Sequence, residues 1–180
     1  LLKVLRNILF YTREILNYRR YLLWNKIGKS PYYDRWEKYL PATVQTLLKW
    51  RFMRGSLKQK WFGSFLRFFE YVIPPGRSIQ NDIKDFAPSL ILASPVNLRF
   101  SSADLEYLKA ARRLCIPSVV PIISWDNLTT KGIFHVIPDR VFAWNETQHD
   151  DLIRYHGISS DHIYITGSLF FDCWFTKMKV

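Results

Sequence analysis

The side chains best suited to chemistry are concentrated in residues 124–132, Ser-Trp-Asp-Asn-Leu-Thr-Thr-Lys-Gly. Asp126 supplies a carboxylate, Lys131 an ammonium group and Trp125 an indole, and one amide and three hydroxyls accompany them. A positioned carboxylate can take a proton from a substrate hydroxyl. An ammonium group can neutralise a phosphate. This stretch is therefore the first candidate for a functional site.

The strand predicted before this stretch indicates where the stretch lies in the fold. Residues 117–123, Pro-Ser-Val-Val-Pro-Ile-Ile, form an apolar, β-branched run typical of a buried strand. In an open α/β sheet, the loops that leave the carboxyl ends of the strands line the ligand crevice. The alternative interpretation is a turn with helix-capping residues, because Ser, Asp, Asn and Thr favour turns for local reasons. We favour a site because a capping turn requires neither Trp nor Lys.

Residues 77–180 alternate between short apolar runs and amphipathic segments. Strands are predicted at 89–94, 118–123, 138–144 and 161–167. Helices are predicted at 78–86, from a cap at Ser101 or Ser102 to Leu114, and from Asn145, which with Gln148 resembles a capping box, to Gly157. Successive strands lie about 22 to 30 residues apart, the repeat of right-handed βαβ units. The pattern predicts an α/β fold with a parallel sheet. Pro121 predicts a bulge or an irregular edge in the second strand.

Residues 1–76 are predicted to be a basic, aromatic helical region. The first 70 residues contain fifteen Lys and Arg against four Asp and Glu, whereas the remainder is balanced, so the net charge of +11 arises here. Helices are predicted over 1–25, after Pro41 and over 61–71, with breaks at Lys29-Ser30-Pro31 and at Pro74-Pro75-Gly76.

The aromatic residues between these cations have three interpretations. The commonest is a helical layer that buries its aromatic stripe and leaves Lys and Arg solvated. The second is attachment to an anionic membrane surface. Nucleic-acid binding is the third, and it ranks last because no known RNA- or DNA-binding module accompanies the charge.

Composition limits the class of protein. A chain of 180 residues can build one domain with a hydrophobic core. Two cysteines, Cys115 and Cys173, suggest neither a disulfide framework nor a metal site, which favours the cytoplasm. The four histidines are scattered, so no metal or other cofactor is expected. The missing initial Met and an element that begins just before residue 180 suggest a fragment.

Several motifs together resemble a known group of proteins. They are Ser94-Pro95, residues 108–117 (Leu-Lys-Ala-Ala-Arg-Arg-Leu-Cys-Ile-Pro), residues 124–132, Pro138-Asp139, Trp144-Asn145-Glu146, His156-Gly157-Ile158, Thr166-Gly167-Ser168 and Phe171-Asp172. In this order they resemble the N-terminal half of bacterial GT-B-fold glycosyltransferase-like proteins. That group is similar to CDP-glycerol glycerophosphotransferases and, more distantly, to UDP-N-acetylglucosamine 2-epimerases. The resemblance covers residues 78–175 and extends only loosely to residues 1–75.

The resemblance implies a Rossmann-like domain that holds the acceptor, facing a second domain that holds a nucleotide-activated donor. The donor would be a nucleotide sugar or a CDP-polyol, and the acceptor a saccharide or a lipid-linked molecule of the cell envelope. The glycerophosphotransferases carry a Trp-His-Gly pattern in the corresponding loop, with His as the general base. Here Trp125 precedes Asp126. The base would therefore be a carboxylate, with Glu146 as second choice.

The other candidate residues divide into two groups under this resemblance. Substrate-binding groups are expected at Trp125, Asn127, Thr129, Thr130, Lys131, Gly132 and Asn145, and a crossover between domains at Gly167, Ser168 and Asp172. The expected protein is a cytoplasmic transferase, with the inner face of the membrane as a possible site of attachment, and the fragment alone would be nearly inactive. The alternatives are a UDP-sugar 2-epimerase-like enzyme and a non-enzymatic module that binds anionic lipid or RNA.

Overall fold

The computed structural model describes residues 2–24, 31–97, 103–168 and 171–172. The chain divides into two compact units, Leu1–Pro74 (unit 1) and Pro75–Val180 (unit 2). Unit 1 is helical in its described part, and unit 2 combines helices with a parallel sheet. The sequence analysis placed the boundary after residue 76, two residues beyond the observed end of unit 1.

The described part of unit 1 contains five helices. They are α1 (Leu2–Trp24), α2 (Pro31–Tyr39), α3 (Ala42–Leu48), α4 (Arg51–Lys58) and α5 (Lys60–Val72). The predicted helices over 1–25, after Pro41 and over 61–71 are confirmed, whereas α2 and α4 were not predicted. Pro31 begins α2 because a helix tolerates proline in its first turn, where the missing N–H would have no partner. Lys29 and Ser30 lie outside the described residues.

Aromatic packing forms the core of unit 1. The rings of Tyr21 and Trp36 are stacked, with centroids 5.6 Å apart, and join α1 to α2. Seven buried residues make up this core: Tyr18, Tyr21, Leu22, Trp36, Leu40, Leu48 and Leu57.

Two arginines of α1 set the orientation of α5. Arg13 forms a bidentate, buried ion pair with Glu70, with 3.0 Å between Nη2 and Oε2. Arg19 donates to the carbonyl oxygens of Leu57 at 2.7 Å and Gln59 at 3.1 Å. A Cβ atom at Gly63 would lie 2.9 Å from Cζ of Arg19, so only glycine allows this approach without displacing the guanidinium.

The aromatic stripe of α5 is not buried. Its buried positions are Gly63, Leu66 and Glu70, which face α1. Trp61, Phe65, Phe68 and Tyr71 are exposed. The commonest interpretation, an aromatic stripe in the core with Arg in solvent, is therefore wrong for this helix, because the ion pair with Arg13 turns Glu70 inwards.

Unit 2 alternates strands and helices. Its described elements are α6 (Arg77–Phe86), β1 (Ile91–Leu92), α7 (Ala103–Arg113), β2 (Ser118–Pro121), α8 (Asn127–Thr130), β3 (Arg140–Ala143), α9 (Glu146–Asp151) and β4 (Ile163–Ile165). A π-helical turn, Leu152–His156, extends α9, and a 3₁₀ turn, Ser160–His162, precedes β4. All four predicted strands are confirmed, although each is shorter than predicted. The predicted cap at Ser101 or Ser102 lies outside the described residues.

The sheet is parallel throughout, in the order β1-β2-β3-β4, which confirms the mixed α/β fold. Leu92 pairs with Val119, Val120 with Val141 and Phe142 with Tyr164. Doubly wound sheets have a reversal of strand order at the ligand crevice. Among the four described strands the order does not reverse.

Pro121 does not disrupt the sheet, so the predicted bulge or edge position is wrong. β2 is a central strand, and Pro121 is its last residue, paired with Phe142. The N–H of Ala93 still donates to the Val119 carbonyl oxygen at 3.1 Å, and β1 ends at the point where the next ladder bond would need an N–H from residue 121. Instead, the hydroxyl of Ser94 donates to the Pro121 carbonyl oxygen at 2.6 Å.

The core of unit 2 lies on one face of the sheet. Alternate strand residues, such as Ile91, Val120, Val141 and Ile163, share one cluster with buried side chains of α6, α7 and the segment after α9. On the opposite face, Leu92 is 64% exposed and Tyr164 48% exposed. The described helices of unit 2 therefore pack against a single face of the sheet.

Candidate functional site

The predicted stretch lies at the carboxyl edge of the sheet. β2 ends at Pro121, and residues 122–132 follow it. Because the four strands are parallel, the loops after β1, β3 and β4 leave at the same edge. The expected position of residues 124–132 after the second strand is therefore confirmed, and part of the predicted loop is the short helix α8.

Asp126 is the centre of a hydrogen-bonded cluster. Its Oδ1 accepts a hydrogen bond from the hydroxyl of Ser124 at 2.6 Å. Its Oδ2 accepts one from the hydroxyl of Thr130 at 3.0 Å and lies 3.3 Å from Nζ of Lys131. Three side chains from within seven residues thus hold one carboxylate in a fixed orientation.

The electrostatics of this cluster favour the ionised carboxylate. Partial burial acts to raise the pKa of Asp126, but the hydrogen bonds from Ser124, Thr130 and Lys131, with the charge of Lys131, outweigh it and lower that pKa below its usual range. Hydrogen bonds to the charged form have this effect because protonation would break them. Asp126 is therefore an oriented anion at neutral pH.

The capping interpretation does not describe Asp126. Asp126 precedes α8, yet within the described residues its carboxylate accepts no hydrogen bond from a backbone N–H of that helix. Its backbone carbonyl oxygen, in contrast, accepts from the N–H of Thr130 at 3.0 Å. The side chain bonds only to other side chains of the stretch, an arrangement that forms a polar cluster rather than a cap.

Three groups of the stretch are open to solvent. Trp125 is 74% exposed, so it is not a core residue. The side chains of Lys131 and Asp126 are 36% and 23% exposed. An indole face, a cation and an anion on one loop can contact a ring, a phosphate and a hydroxyl of the same ligand.

Asn97 holds this loop from the neighbouring strand end, and it was not predicted. Its Nδ2 donates to the carbonyl oxygens of Asn127 at 2.6 Å and Gly132 at 3.2 Å. The N–H of Gly132 donates back to the Asn97 carbonyl oxygen at 2.8 Å. Asn127, Gly132 and Asn97 are all buried, so the first two, predicted to bind substrate, hold the loop in this structure.

His156 supports the same loop from the protein interior. Its Nε2 lies 2.9 Å from the Leu128 carbonyl oxygen, and its Nδ1 accepts from the N–H of Phe134 at 3.3 Å. Because Nε2 faces a carbonyl acceptor and Nδ1 faces an N–H donor, the ring must be the neutral tautomer with its proton on Nε2. His156 is therefore a buried residue that holds the loop by hydrogen bonds on both ring nitrogens.

Asn145 and Glu146 lie at the carboxyl end of β3. The side chain of Asn145 caps α9, accepting from the N–H of Gln148 at 3.0 Å, and Gln148 Oε1 accepts from the N–H of Trp144 at 2.9 Å. The predicted cap at Asn145 is confirmed. Its side-chain oxygen is therefore already used within the protein. Glu146 is exposed in the first turn of α9, where the helix dipole stabilises an anion.

The residues assigned to a crossover between domains follow β4. Gly167 has a φ of +76°, a backbone conformation that favours glycine. Ser168 is partly buried and Asp172 is exposed. Thr129, the remaining substrate-binding candidate, lies within α8 and is partly buried.

Comparison of the chain with known protein families, curated proteins and solved structures finds no match. The described residues include no group of three or more His, Cys, Asp or Glu that could hold a metal ion. Any assignment of function therefore depends on the residues and geometry given above.

Proposed function

We propose that unit 2 is the acceptor side of a GT-B-type transferase, with a Rossmann-like domain that positions a hydroxyl of a saccharide or lipid-linked acceptor. The observation that carries this proposal is the Asp126 carboxylate, oriented by Ser124, Thr130 and Lys131 at the carboxyl edge of a parallel sheet. Ligands of open α/β sheets bind at that edge. The resemblance of the motifs within residues 78–175, which include residues 124–132, also supports the proposal.

The proposed reaction transfers a sugar or a polyol phosphate. The acceptor oxygen forms a bond to the anomeric carbon or the phosphorus of the donor, the bond from that atom to the nucleotide phosphate oxygen breaks, and the nucleotide leaves with the electron pair. The proton of the acceptor hydroxyl passes to Asp126. Because its pKa is lowered, Asp126 is a weak base in the ground state. It accepts the proton once the attacking oxygen has become acidic, and before that its main contribution is orientation.

Asp126 is a stronger candidate than Glu146 for this role. Side-chain hydrogen bonds orient Asp126, whereas Glu146 is exposed at the start of α9. Lys131 lies beside Asp126 and is partly exposed, so it can neutralise a phosphate of the donor. Trp125 offers an exposed ring face for a sugar.

The test measures nucleotide release by the natural full-length protein. UDP-, GDP- and CDP-activated donors are supplied with and without a membrane extract as the source of acceptor. We expect release that requires the extract and that falls by about 100-fold or more in Asp126→Asn, the scale of a lost acid–base group.

Asp139→Asn is the matched control. The carboxylate of Asp139 accepts hydrogen bonds from the N–H and hydroxyl of Ser118 at 2.9 and 2.8 Å, so it is equally engaged, but at the amino end of the strands. If Asp126→Asn and Asp139→Asn reduced nucleotide release equally, a specific role for Asp126 would be contradicted. Release without extract would favour the 2-epimerase-like alternative or a hydrolase, and no release with any donor would favour a binding module.

A further inference from the structure

The exposed side of α5 is an apolar ridge. Trp61, Phe65, Phe68 and Val72 recur at spacings of four, three and four residues, which places them along one line of the helix. Their side chains are 63%, 52%, 58% and 53% exposed. We call these four residues the α5 ridge. The described helix that carries it is already anchored to unit 1 through its opposite face, at Gly63, Leu66 and Glu70.

Neighbouring rings support the ridge from beneath. Phe69 is partly buried, and its ring meets those of Phe65 and Phe68 edge-on, with centroids 5.4 and 6.5 Å apart. Phe62 meets Trp61 in the same way at 5.4 Å. The ridge from Trp61 to Val72 is therefore an apolar surface backed by further aromatic rings, and it extends for about 17 Å along the helix.

Cations border the ridge. Lys58, the last residue of α4, and Lys60, the first residue of α5, are both exposed. Arg67 lies on the flank, partly buried, and no hydrogen bond or ion pair joins it to another residue in the described ranges. Burial lowers the pKa of Arg19, and the nearby charge of Arg67 lowers it further. Two neighbouring guanidinium groups, neither of which has an ion pair with a described acid, are suited to a phosphate.

We propose that the α5 ridge docks unit 1 onto the surface of an anionic phospholipid bilayer. The helix lies parallel to the membrane, the ridge enters the boundary between headgroups and acyl chains, and Lys58, Lys60 and Arg67 contact lipid phosphates. An anionic bilayer is complementary in charge to unit 1, because the first 70 residues carry the entire net positive charge of +11. Among the described residues no helix is long and apolar enough to cross a bilayer, so this contact is at the surface. The inference does not depend on the proposed transferase activity.

Vesicle flotation of the full chain tests the proposal. Vesicles of phosphatidylcholine alone are compared with an equal mixture of phosphatidylcholine and phosphatidylglycerol. Wild type should float with the mixed vesicles and remain behind with the neutral ones. Phe65→Ser/Phe68→Ser should reduce binding by at least about tenfold, because two of the inserted rings are lost. Arg67→Gln should weaken binding to the mixed vesicles, whereas Arg67→Lys retains most of it.

Phe86→Ser/Leu92→Ser is the control, because it removes two side chains of unit 2 that are 84% and 64% exposed. It should bind like wild type, and far-UV circular dichroism should show every variant to be folded. The proposal is overturned if Phe65→Ser/Phe68→Ser floats like wild type or if both vesicle types bind equally. A dimer that Phe65→Ser/Phe68→Ser dissociates, without vesicle binding, would assign the ridge to a second copy. Retention on single-stranded RNA without flotation would assign it to nucleic acid.

Discussion

The side-chain amide of Asn97 donates to the carbonyl oxygen of Asn127 at 2.6 Å, and this bond ties the loop after β1 to the loop after β2. A second bond from the same amide reaches Gly132 at 3.2 Å. The residues between these two carbonyl groups include Thr130 and Lys131, which hold the Asp126 carboxylate. One buried amide therefore positions the candidate site without being part of it.

Replacement of this amide should destabilise unit 2. Asn97→Ala leaves two buried carbonyl groups without their donor, and we expect a loss of about 1–3 kcal/mol in the free energy of unfolding. Urea denaturation followed by circular dichroism measures it. Asn81→Ala, at an exposed position of α6, should change stability by less than about 0.5 kcal/mol. Equal effects of the two substitutions would show that the Asn97 bonds do not contribute to stability.

The stabilisation by Asp126 should depend on pH. Because the pKa of Asp126 is lowered in the folded protein, its contribution is fully present above the unfolded value of about 3.9. It is lost as the pH falls through the lower folded value. Asp126→Asn should therefore cost about 1 kcal/mol at neutral pH, from the weakened hydrogen bonds. The difference from wild type should shrink below about pH 4.

Urea denaturation between neutral and acid pH measures that difference. Asp85→Asn, at an exposed position of α6, supplies the baseline for loss of a surface carboxylate. A difference between wild type and Asp126→Asn that grows towards acid pH would have the wrong sign and would refute the lowered pKa.

Replacement of only one partner of the ion pair between Arg13 and Glu70 should strongly destabilise the protein. Their side chains are 6% and 2% exposed, so Arg13→Met or Glu70→Gln leaves a buried charge without its partner. We expect each to cost about 3–5 kcal/mol of unfolding free energy. Arg13→Met/Glu70→Met should cost less than either single change, because neither charge remains.

The pair of Arg54 and Glu37 is the matched control in the same unit. It spans 3.1 Å, but its side chains are 41% and 28% exposed. Glu37→Gln should cost about 1 kcal/mol or less, because solvent screens this pair. A similar cost for Glu37→Gln and Glu70→Gln would mean that burial does not set the strength of the Arg13 pair.

Local patterns were sufficient for most elements and for the place of the site. The β-branched run before Ser124 predicted β2, the Asn145 and Gln148 pair predicted the start of α9, and Gly157 predicted the end of the helical segment. These features depend on neighbours within a few residues. Pro121 was misjudged because a proline can end the pairing on one side of a strand while the pairing on the other side continues, here with Phe142 of β3.

The sequence by itself determined the helical and α/β halves of the chain, the basic charge of the first 70 residues and the concentration of polar groups after β2. Tertiary structure alone decided which face of α5 is buried, because Arg13 lies 57 residues from Glu70. It also decided how the site loop is held, because Asn97 lies 30 residues before Asn127 and His156 lies 28 residues after Leu128. Periodicity reports which residues share a face, whereas hydrogen bonds between distant segments decide which face turns inwards.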